Sequence, residues 1–339
     1  MNLSRYKILS IAIVTFLLIA SAGYAGEFSK VGTAGAQFLK IGMGARYIGM
    51  GEASSAVVND AYSMYWNPAG MAMIEETEFA FTSVDWIEDV SLNFISLVKP
   101  IGAQGTIGLS ATILSIGEME ETTVWEPNGT GNMFDASSFS LSAGYARNWT
   151  DRFSAGIKLK YVSERIAEAR SSGVAFDIGT LFRTGYRNFR VGLNISNLGQ
   201  GLKFSGSDLN IKYSRDPNNP NYDPVNASLL TEEYDLPLTF RIGCAYDLVE
   251  TSMSTWTIAA EAKHPNDNVQ QLSLGSEYLW NSMVALRAGY KFKYEEEGVT
   301  LGGGVILAPT QSTALVIDYA WSDFGNLDSV HRFSFGVRF

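Results

Sequence analysis

Apolar and polar residues alternate along most of the chain after about residue 76, with a period of two. Between Phe153 and Tyr161 every second residue is apolar or aromatic, and the residues between them are Ser154, Gly156, Lys158 and Lys160. Successive side chains of a β-strand point to opposite faces, so this pattern predicts a strand with one apolar face and one small, polar or charged face.

Segments of this kind follow one another to the end of the chain and predict fourteen strands. They lie near residues 76–84, 91–99, 104–114, 137–147, 153–163, 173–183, 188–196, 236–247, 255–264, 270–280, 284–293, 298–308, 313–321 and 331–339. The alternation itself fits either a membrane barrel with a polar interior or a sandwich with an apolar core.

The lengths of the connections favour the barrel. If the first strand runs outward, the connections after odd-numbered strands are long or variable, up to the segment 197–235, whereas those after even-numbered strands are mostly tight turns such as 100–103. Long loops at one end and short turns at the other are typical of outer-membrane barrels. The sequence therefore predicts an all-β protein, a 14-stranded antiparallel transmembrane β-barrel, in the bacterial outer membrane.

The start of the chain has the features of a secretory signal peptide. Arg5 and Lys7 precede the apolar run 8–22, and Gly23-Tyr-Ala25 offers the small residues that a signal peptidase recognises. The run has 15 residues, fewer than the roughly 20 that a membrane-spanning helix needs. We therefore expect residues 1–25 to be removed on export.

The next segment, 26–75, predicts a plug inside the barrel. It carries glycines at positions 42, 44, 49 and 51, and its most distinct local signal is Asn67 followed by Pro68. Asn is a good N-cap and Pro suits the first helical position, so a short helix is expected to begin there. We expect 26–75 to form an N-terminal hatch of small helices in the lumen of a barrel formed by 76–339.

Charge and cysteine content exclude some classes of protein. Without the predicted signal peptide the chain has 23 Lys and Arg against 35 Asp and Glu, a net charge of −12, which disfavours nucleic-acid binding. Cys244 is the single cysteine, so no internal disulfide can form.

Five charged residues are predicted to face the lumen: Asp177, Glu261, Glu277, Arg287 and Asp318. As one cluster they could line a substrate path, or they could form a paired network that holds strands and hatch together. An inward charge in a low-dielectric setting needs a partner, which favours the network.

The hatch contains three further candidates. Arg46 could dock the hatch onto the inward carboxylates or meet the head group of a ligand, and docking is the more ordinary role for an Arg fork near carboxylates. Tyr65 and Trp66 are expected to act as packing and hydrogen-bond anchors rather than as a binding platform for a ligand.

Catalytic, metal and cofactor sites are not indicated. His264 and His331 fall at strand ends on the outer rim, and neither has cysteines, clustered carboxylates or a serine with a polar orienting group beside it. Acidic residues such as Glu118, Glu120 and Glu121 are assigned to external loops. The connection 197–235 is long enough to be functional and is the best candidate for a partner contact.

The chain ends in an alternating strand in which Phe335 and the final Phe339 lie on one face. This resembles the carboxyl-terminal signal that the outer-membrane assembly machinery recognises, so we expect that machinery to be a partner.

Several motifs together resemble one family of outer-membrane proteins. They are Gly42-Met-Gly-Ala-Arg46, Tyr65-Trp-Asn-Pro-Ala-Gly70, Asp177-Ile-Gly-Thr-Leu-Phe182, Asn197-Leu-Gly199, Leu236-Pro237, Ala285-Leu-Arg-Ala-Gly-Tyr290, Ile317-Asp-Tyr-Ala-Trp321 and His331-Arg-Phe-Ser-Phe335. They resemble the PorV/PorQ family, which is itself similar to the FadL-type transporters. The resemblance covers nearly the whole mature chain and implies a 14-stranded barrel with a hatch and a periplasmic N-terminus.

The resemblance implies two non-enzymatic functions. On the PorV side, the barrel is a component of type IX secretion whose external loops contact exported proteins. On the FadL side, it is a passive route for hydrophobic small molecules such as fatty acids, which pass between hatch and wall. The inward faces are rich in Ser, Gly and charge, which favours the secretion role; a purely structural role is the third alternative. In each case the membrane lipid is a partner.

Overall fold

The computed structural model describes residues 30–87, 90–186, 188–215, 223–310 and 313–339. The predicted signal peptide, 1–25, lies outside the described residues. Among those described, no helix is both long enough and apolar enough to cross a membrane.

Fourteen long strands form one antiparallel sheet. They are β1 (Glu78–Asp85), β2 (Ser91–Pro100), β3 (Thr106–Glu120), β4 (Met133–Thr150), β5 (Phe153–Ile166), β6 (Ala169–Arg183), β7 (Arg190–Gly199), β8 (Thr239–Glu250), β9 (Ser254–Pro265), β10 (Gln271–Trp280), β11 (Val284–Phe292), β12 (Val299–Thr310), β13 (Thr313–Asp323) and β14 (Ser329–Arg338).

The sheet closes on itself because β1 pairs with both β2 and β14. The pairing of β1 with β14 runs from Glu78 opposite Arg338 to Asp85 opposite His331 without a shift of register. Closure leaves the barrel strands without a free edge. The predicted 14-stranded antiparallel barrel is confirmed.

Several strands extend beyond their predicted ends at the long-loop end. β3 continues to Glu120 and β4 begins at Met133, whereas the alternation predicted a loop over 115–136. The assignment of Glu118 and Glu120 to a loop was therefore wrong, since both lie in β3. Similarly, only residues 167 and 168 separate β5 from β6. The prediction of a loop at 164–172 was wrong. These residues continue the two strands above the membrane, where polar residues no longer alternate with apolar ones.

The register places the charged residues inside the barrel. On β5, Ile157, Leu159 and Tyr161 face outward, while Lys158 and Lys160 between them are only 4% and 5% exposed. A Lys or Arg facing lipid at mid-depth costs roughly 2 to 4 kcal/mol, and a slip by one residue would turn every inward charge outward. The alternation seen in the sequence thus fixes which face meets the membrane.

The longest connection, 200–238, joins β7 to β8 and contains structure of its own. Asn210–Tyr213 pairs antiparallel with Val225–Ser228, and Ser205–Gly206 pairs with the start of β6. Leu202 forms an antiparallel bridge with Tyr234 near the two ends of the connection. Part of this long loop is therefore a small folded unit at the barrel mouth.

The described part of the hatch, 30–75, lies in the lumen. It contains the helices α1 (Ala45–Gly49) and α2 (Ser63–Trp66) and the 3₁₀ helices Gln37–Lys40 and Pro68–Met73. The Asn67 side chain caps the second 3₁₀ helix by accepting a hydrogen bond from the Ala69 amide at 3.1 Å. The predicted helix start is confirmed, although the helix is of the tighter 3₁₀ type. The division of the chain at residue 75 stays a prediction.

Inward-facing glycines of the wall bring it against the hatch backbone. A Cβ at Gly289 would lie 2.1 Å from the Gly51 amide nitrogen, and one at Gly275 would lie 2.3 Å from the Met50 carbonyl oxygen. Two further wall glycines meet the backbone of residues 55 and 68 in the same way, and we call the four the glycine collar: Gly156, Gly192, Gly275 and Gly289. No larger residue fits at these positions without moving the hatch.

The N-terminal end of the hatch lies at the long-loop end of the barrel. The Gly35 amide donates to the Asp235 carbonyl at 2.9 Å, and Lys40 forms an ion pair with Asp267 at 2.9 Å. Residue 235 lies in the connection from β7 to β8 and residue 267 in that from β9 to β10, so both belong to the long-loop end. The described chain therefore begins at the outer mouth and descends through the lumen to β1, and the implied periplasmic N-terminus falls on residues before Lys30, outside the described residues.

Replacing Gly289 by Ala is expected to unseat the hatch, because the new methyl group meets backbone atoms that cannot rotate away. We expect a stability loss of about 1 to 3 kcal/mol and faster cleavage of the hatch in limited proteolysis of the folded barrel. Gly303→Ala on β12 is the matched control, since its Cβ would have only the Ala285 carbonyl oxygen nearby, at 3.8 Å. Equal protection in both variants would contradict the role of the collar.

A cysteine at Lys30 is expected to be reachable from outside the cell. In a Cys244→Ser background, Lys30→Cys should react with a membrane-impermeant maleimide on intact cells. Ala103→Cys, in the short turn between β2 and β3, should react only after the outer membrane is permeabilised. Labelling of Lys30→Cys only after permeabilisation would show that the N-terminal segment does not reach the outer mouth.

Candidate functional site: the hatch and the lumen around it

Arg46 connects the hatch to the barrel wall. Its Nε and Nη2 donate to the two carboxylate oxygens of Glu277 at 2.9 and 2.8 Å, and its Nη1 donates to Asn59 Oδ1 at 2.9 Å. Asp60 lies 3.4 Å from Nη1. A two-pronged Arg–carboxylate pair fixes orientation as well as charge. This is the contact that the docking interpretation of Arg46 expects.

The Arg46 pair continues along the wall as a charged chain. Glu277 on β10 also accepts from Arg287 Nε at 2.6 Å, and Arg287 on β11 donates to Asp318 on β13 at 2.6 Å. All three wall residues are at most 6% exposed. Each charge therefore has an opposite charge beside it, which is the condition for burying it.

Asp177 belongs to a second network on the other side of the lumen. Its carboxylate pairs with Lys158 at 2.7 Å and with Lys160 at 3.0 Å, and it accepts from the Asn197 amide at 2.8 Å. Lys158 also donates to the Met64 carbonyl of the hatch at 2.6 Å. Asp177 therefore helps to hold the wall against the hatch.

Glu261 forms the core of a third network with the hatch. It accepts from the amides of Ser54 and Ser55 at 3.0 and 2.7 Å, and from Arg241 at 2.9 Å. The five predicted lumen charges are therefore divided among three networks. Each charge is paired, as in the network that the sequence favoured over a cluster lining a substrate path, and the hatch divides the network into three because it occupies the space between the strands that carry the charges.

Glu52 of the hatch extends this third network. It pairs with Lys291 at 2.7 Å and lies 3.7 Å from Arg241. Burial raises the pKa of Glu52, but the charges of Lys291, Lys263 and Arg241 outweigh it and hold the pKa below the usual value of a glutamate. Glu52 is therefore an anion at neutral pH and neutralises wall cations.

Trp66 is buried and Tyr65 partly buried, and both bind other parts of the hatch. The Tyr65 hydroxyl donates to the carbonyls of Leu39 and Ile41 at 3.0 and 2.7 Å, and Trp66 Nε1 donates to the Met43 carbonyl at 2.7 Å. Both side chains thus tie α2 to the segment that precedes α1. These contacts are those expected of side chains that anchor one part of the hatch to another.

Asn67 and Pro68 lie where the hatch meets β5 and β6. Asn67 Nδ2 donates to the carbonyls of Ser55 and Thr180 at 2.8 and 3.1 Å. A Cβ at Gly156 would lie 2.5 Å from the carbonyl carbon of Pro68. The motif around Asn67 therefore serves both as a helix cap and as a contact with the wall.

Phe335 and Phe339 lie away from these networks, with 39% and 58% of their surfaces exposed. The Phe339 amide donates to the Thr77 carbonyl at 2.9 Å, beside the closing pair of strands. Their role as an assembly signal stays a prediction.

The two histidines also lie apart from the lumen networks. His331 Nδ1 is 2.7 Å from the Tyr319 hydroxyl on the outer surface, and His264 is exposed near the end of β9. Among the described residues no three His, Cys, Asp or Glu side chains are placed to hold a metal ion.

Among the described residues, cavities lie between hatch and wall. One lies in the outer half of the lumen, above α2, with a volume of about 30 Å³ and a polar lining. Another lies toward the short-turn end, with a volume of about 170 Å³, and combines the charged Arg46, Glu277 and Asp318 with the apolar Leu279 and Ile306.

The sequence did not indicate two residues that turn out to matter, Glu52 and Asp60. Both are in the hatch, where no alternation shows which side chains are buried. One signal was available: the inward cations of β5, β8 and β11, which are Lys158, Lys160, Arg241 and Lys291, require acidic partners. The hatch was the segment that could supply them.

Comparison with known proteins identifies the family. Residues 24–264, most of the chain, match the model of the type IX secretion system protein PorV. The chain belongs to the PorV family. No curated protein sequence is significantly similar to it.

Solved structures share the fold of this PorV-family chain at low sequence identity. The monoaromatic hydrocarbon channel CymD is 13% identical with a TM-score of 0.57, and the match covers 88% of this chain and 97% of that one. The toluene transporter TodX of P. putida is 12% identical with a TM-score of 0.56, over 88% and 96%. A FadL homologue of Pseudomonas aeruginosa is 14% identical with a TM-score of 0.52, over 86% and 96%.

The family and the fold together settle two points about this PorV-family chain: it is a closed barrel of the FadL-like kind, and it belongs in the bacterial outer membrane. The proteins that it resembles are described as a secretion system protein, a hydrocarbon channel and a toluene transporter. The sequence resemblance to PorV and FadL proteins is confirmed.

Arg46→Ala is expected to loosen the hatch, because it leaves Glu277 buried with one cationic partner fewer. Loss of one partner of a buried pair costs about 3 to 5 kcal/mol, so we expect the hatch of the folded barrel to be cleaved faster by protease. Arg46→Lys should be intermediate, since an ammonium group keeps the charge but not the two-pronged geometry. If the Ala variant is as resistant as the parent protein, Arg46 does not dock the hatch.

Proposed function

We propose that this PorV-family barrel acts in type IX secretion as a rigid outer-membrane platform whose outer loops contact exported proteins. The family match supports secretion. The close contacts between hatch and wall support the platform role, and they are the main observation on which the proposal rests.

A platform needs a lumen that stays closed while a partner binds outside. Here the glycine collar meets the hatch backbone directly, and three ionic networks join hatch to wall. Passage of a molecule between hatch and wall would require several buried ion pairs to break together, and each costs several kcal/mol to separate. A partner bound at the loops requires no such change.

Two outer loops present apolar side chains to solvent. Val124 and Trp125, in the connection from β3 to β4, are each 91% exposed, and Leu230 in the connection 200–238 is 85% exposed. Exposed apolar clusters with a polar rim are typical of protein contact sites, and Trp is frequent among residues that dominate binding energy. These loops are the contact surface that we propose.

Acidic side chains surround both apolar tips. Glu121 and Glu126 are exposed near Trp125, and Glu232 and Glu233 are exposed near Leu230. Opposite charges at the rim of an interface increase the association rate and help to discriminate between partners. An exported protein with basic residues around an apolar contact patch would therefore match this surface.

A second candidate function is passive transport of hydrophobic molecules. The observation in its favour is the cavity of about 170 Å³ near the short-turn end, which has the apolar Leu279, Ile306 and Val316 in its lining. Structures of the same fold include proteins described as a toluene transporter and a hydrocarbon channel. Transport would require the hatch to move, whereas the platform role would not.

The loop contact is tested by Trp125→Asp and Leu230→Asp, alone and together. Each is expected to reduce co-purification of exported proteins with the barrel from its native membrane by roughly tenfold or more, as loss of a dominant contact residue does. Met253→Asp is the matched control, because Met253 is 61% exposed but lies in a short turn at the opposite end. The proposal fails if the parent barrel carries no exported protein and instead carries a stoichiometric apolar molecule.

A locked hatch separates the two functions. The Ala45 amide donates to Ser334 Oγ at 2.8 Å, so cysteines at both positions, in a Cys244→Ser background, should reach disulfide distance. Under oxidising conditions the platform role predicts unchanged co-purification of exported proteins, whereas transport predicts lost uptake of a labelled fatty acid. Loss of co-purification on oxidation, restored by a reductant, would contradict the platform role.

A further inference from the structure

The N-terminal segment of the hatch lies across the outer mouth and is held by two different connections. The Gly35 amide donates to the Asp235 carbonyl at 2.9 Å, in the connection from β7 to β8. Gln37 Nε2 and Lys40 Nζ donate to the Asp267 carboxylate at 2.7 and 2.9 Å, in the connection from β9 to β10. We call residues 34–40 the strap, because they join these two connections.

Tyr234 is the side chain of the long connection 200–238 that meets the strap. A Cβ at Gly35 would lie only 1.8 Å from Cε2 of the Tyr234 ring, so the ring occupies the place that a side chain at position 35 would need. The Tyr234 hydroxyl donates to Glu164 Oε2 on β5 at 2.9 Å and is 2.9 Å from Ser171 Oγ on β6. Tyr234 is thus held between the strap and the wall.

Residues 229–235, which we call the contact arm, lead from the exposed apolar tip to Tyr234. Leu230, near the start of this arm, is the residue of the tip that is 85% exposed. Thr231 Oγ1 donates to a backbone carbonyl of the facing arm of the connection at 2.6 Å. Tyr234 and Leu202 of the facing arm exchange backbone hydrogen bonds at 2.9 and 2.7 Å. The contact arm therefore carries the proposed contact residue near one end and meets the strap at the other.

The two arms are attached to the barrel in different ways. The facing arm has its own attachment to the wall through Ser205–Gly206, which pairs with the start of β6. Among the described residues, no strand pairing of this kind joins the contact arm to the wall. Instead, Asp235 at its end forms a parallel bridge with Ala34 of the strap, beside the contact of Tyr234 with Gly35. The backbone of the contact arm is therefore held by the strap on one side and by the facing arm on the other.

Apolar packing also joins the strap to the long connection. Ala36 and Phe38 of the strap belong to one buried cluster with Leu202 and Leu236 of the connection, and all four are at most 4% exposed. Separating the strap from the connection would expose apolar surface to water, which is unfavourable. The strap and the base of the connection therefore pack as one unit.

We propose that the strap positions the contact arm so that Leu230 is presented to an exported protein. Gly35 and Tyr234 are the positioning residues, since they hold the arm without belonging to its exposed tip. An arm that samples many orientations binds with an affinity reduced by the fraction of molecules in the competent one. This inference rests on the proposed contact of exported proteins with the long connection. It adds that the hatch, through the strap, determines how strongly that contact binds.

The orientation of the arm is tested with a nitroxide spin label at Glu232→Cys, an exposed position of the contact arm, in a Cys244→Ser background. Gly35→Asn should force the Tyr234 ring out of its place and increase the mobility of the label. Gly32→Asn is the matched control, because a Cβ there meets no atom within 4 Å and its φ of +80° is one that Asn tolerates. An equally ordered label in both variants would overturn the inference.

The consequence for binding is measured by co-purification of exported proteins with the same glycine variants, without the label. Gly35→Asn is expected to weaken binding by about tenfold, the loss expected if about one molecule in ten has a competent arm. Gly32→Asn should bind as the parent does. The double variant Gly35→Asn with Tyr234→Ala should bind no more weakly than Tyr234→Ala alone, because both substitutions remove the same contact.

The two readouts separate failure of this inference from failure of the proposed function. Undiminished binding by Gly35→Asn with a mobile label would show that the arm needs no positioning, and would overturn the inference alone. A parent barrel that carries no exported protein would contradict the proposed function, and the inference that rests on it would fall as well. The mobility of the label would then still show whether the strap orders the arm.

Discussion

The structure depends on the pairing of lumen charges with groups supplied by the hatch. Glu277 holds Arg46, Glu261 holds the amides of Ser54 and Ser55, and Lys291 holds Glu52. These wall residues cannot face the lipid without a large cost, and they cannot stay buried without partners. The hatch is therefore part of the electrostatics of the barrel and not an object placed in a finished pore.

The same dependence links the hatch to closure of the barrel. β1 follows the hatch directly and pairs with β14, and the Tyr62 hydroxyl of the hatch is 2.7 Å from Thr82 on β1. Thr82 in turn is 2.7 Å from Ser334 on β14. A hatch side chain thus takes part in the hydrogen bonds across the closing pair of strands.

The barrel was predictable from sequence because membrane strands obey a strict constraint. Each strand has lipid on one side and a polar lumen on the other, which requires apolar and polar residues to alternate with period two. This alternation predicted where the strands lie and that Lys158, Arg287 and Asp318 face the lumen. Strand ends above the membrane were less predictable because alternation fades there, as at Glu118 and Glu120 on β3.

The hatch was predictable only in part. Asn67 and Pro68 carry a local signal, since capping depends on neighbouring residues alone. The partner of each lumen charge depends on the path of the hatch across strands far apart in sequence, so the sequence indicated paired charges but not their division into three networks. The sequence shows that the wall is rich in glycine. It does not show why glycine is required at Gly275 and Gly289, because the reason is the backbone of Met50 and Gly51 packed against them.

The fold of this protein does not determine its function, because the lining of the lumen differs from what its fold relatives' names would suggest. The chain shares its fold with hydrocarbon and toluene transporters at 12% to 13% identity, so the shared feature is the closed barrel with a hatch. A route for apolar molecules requires an apolar surface along the hatch, whereas the outer half of this lumen is lined by serines, threonines, lysines and an arginine. An apolar solute would have to displace water from those groups without replacing its hydrogen bonds, at a cost for each group. The polar lumen thus opposes apolar transport, while the exposed tips at Trp125 and Leu230 leave the outer face available for a protein partner.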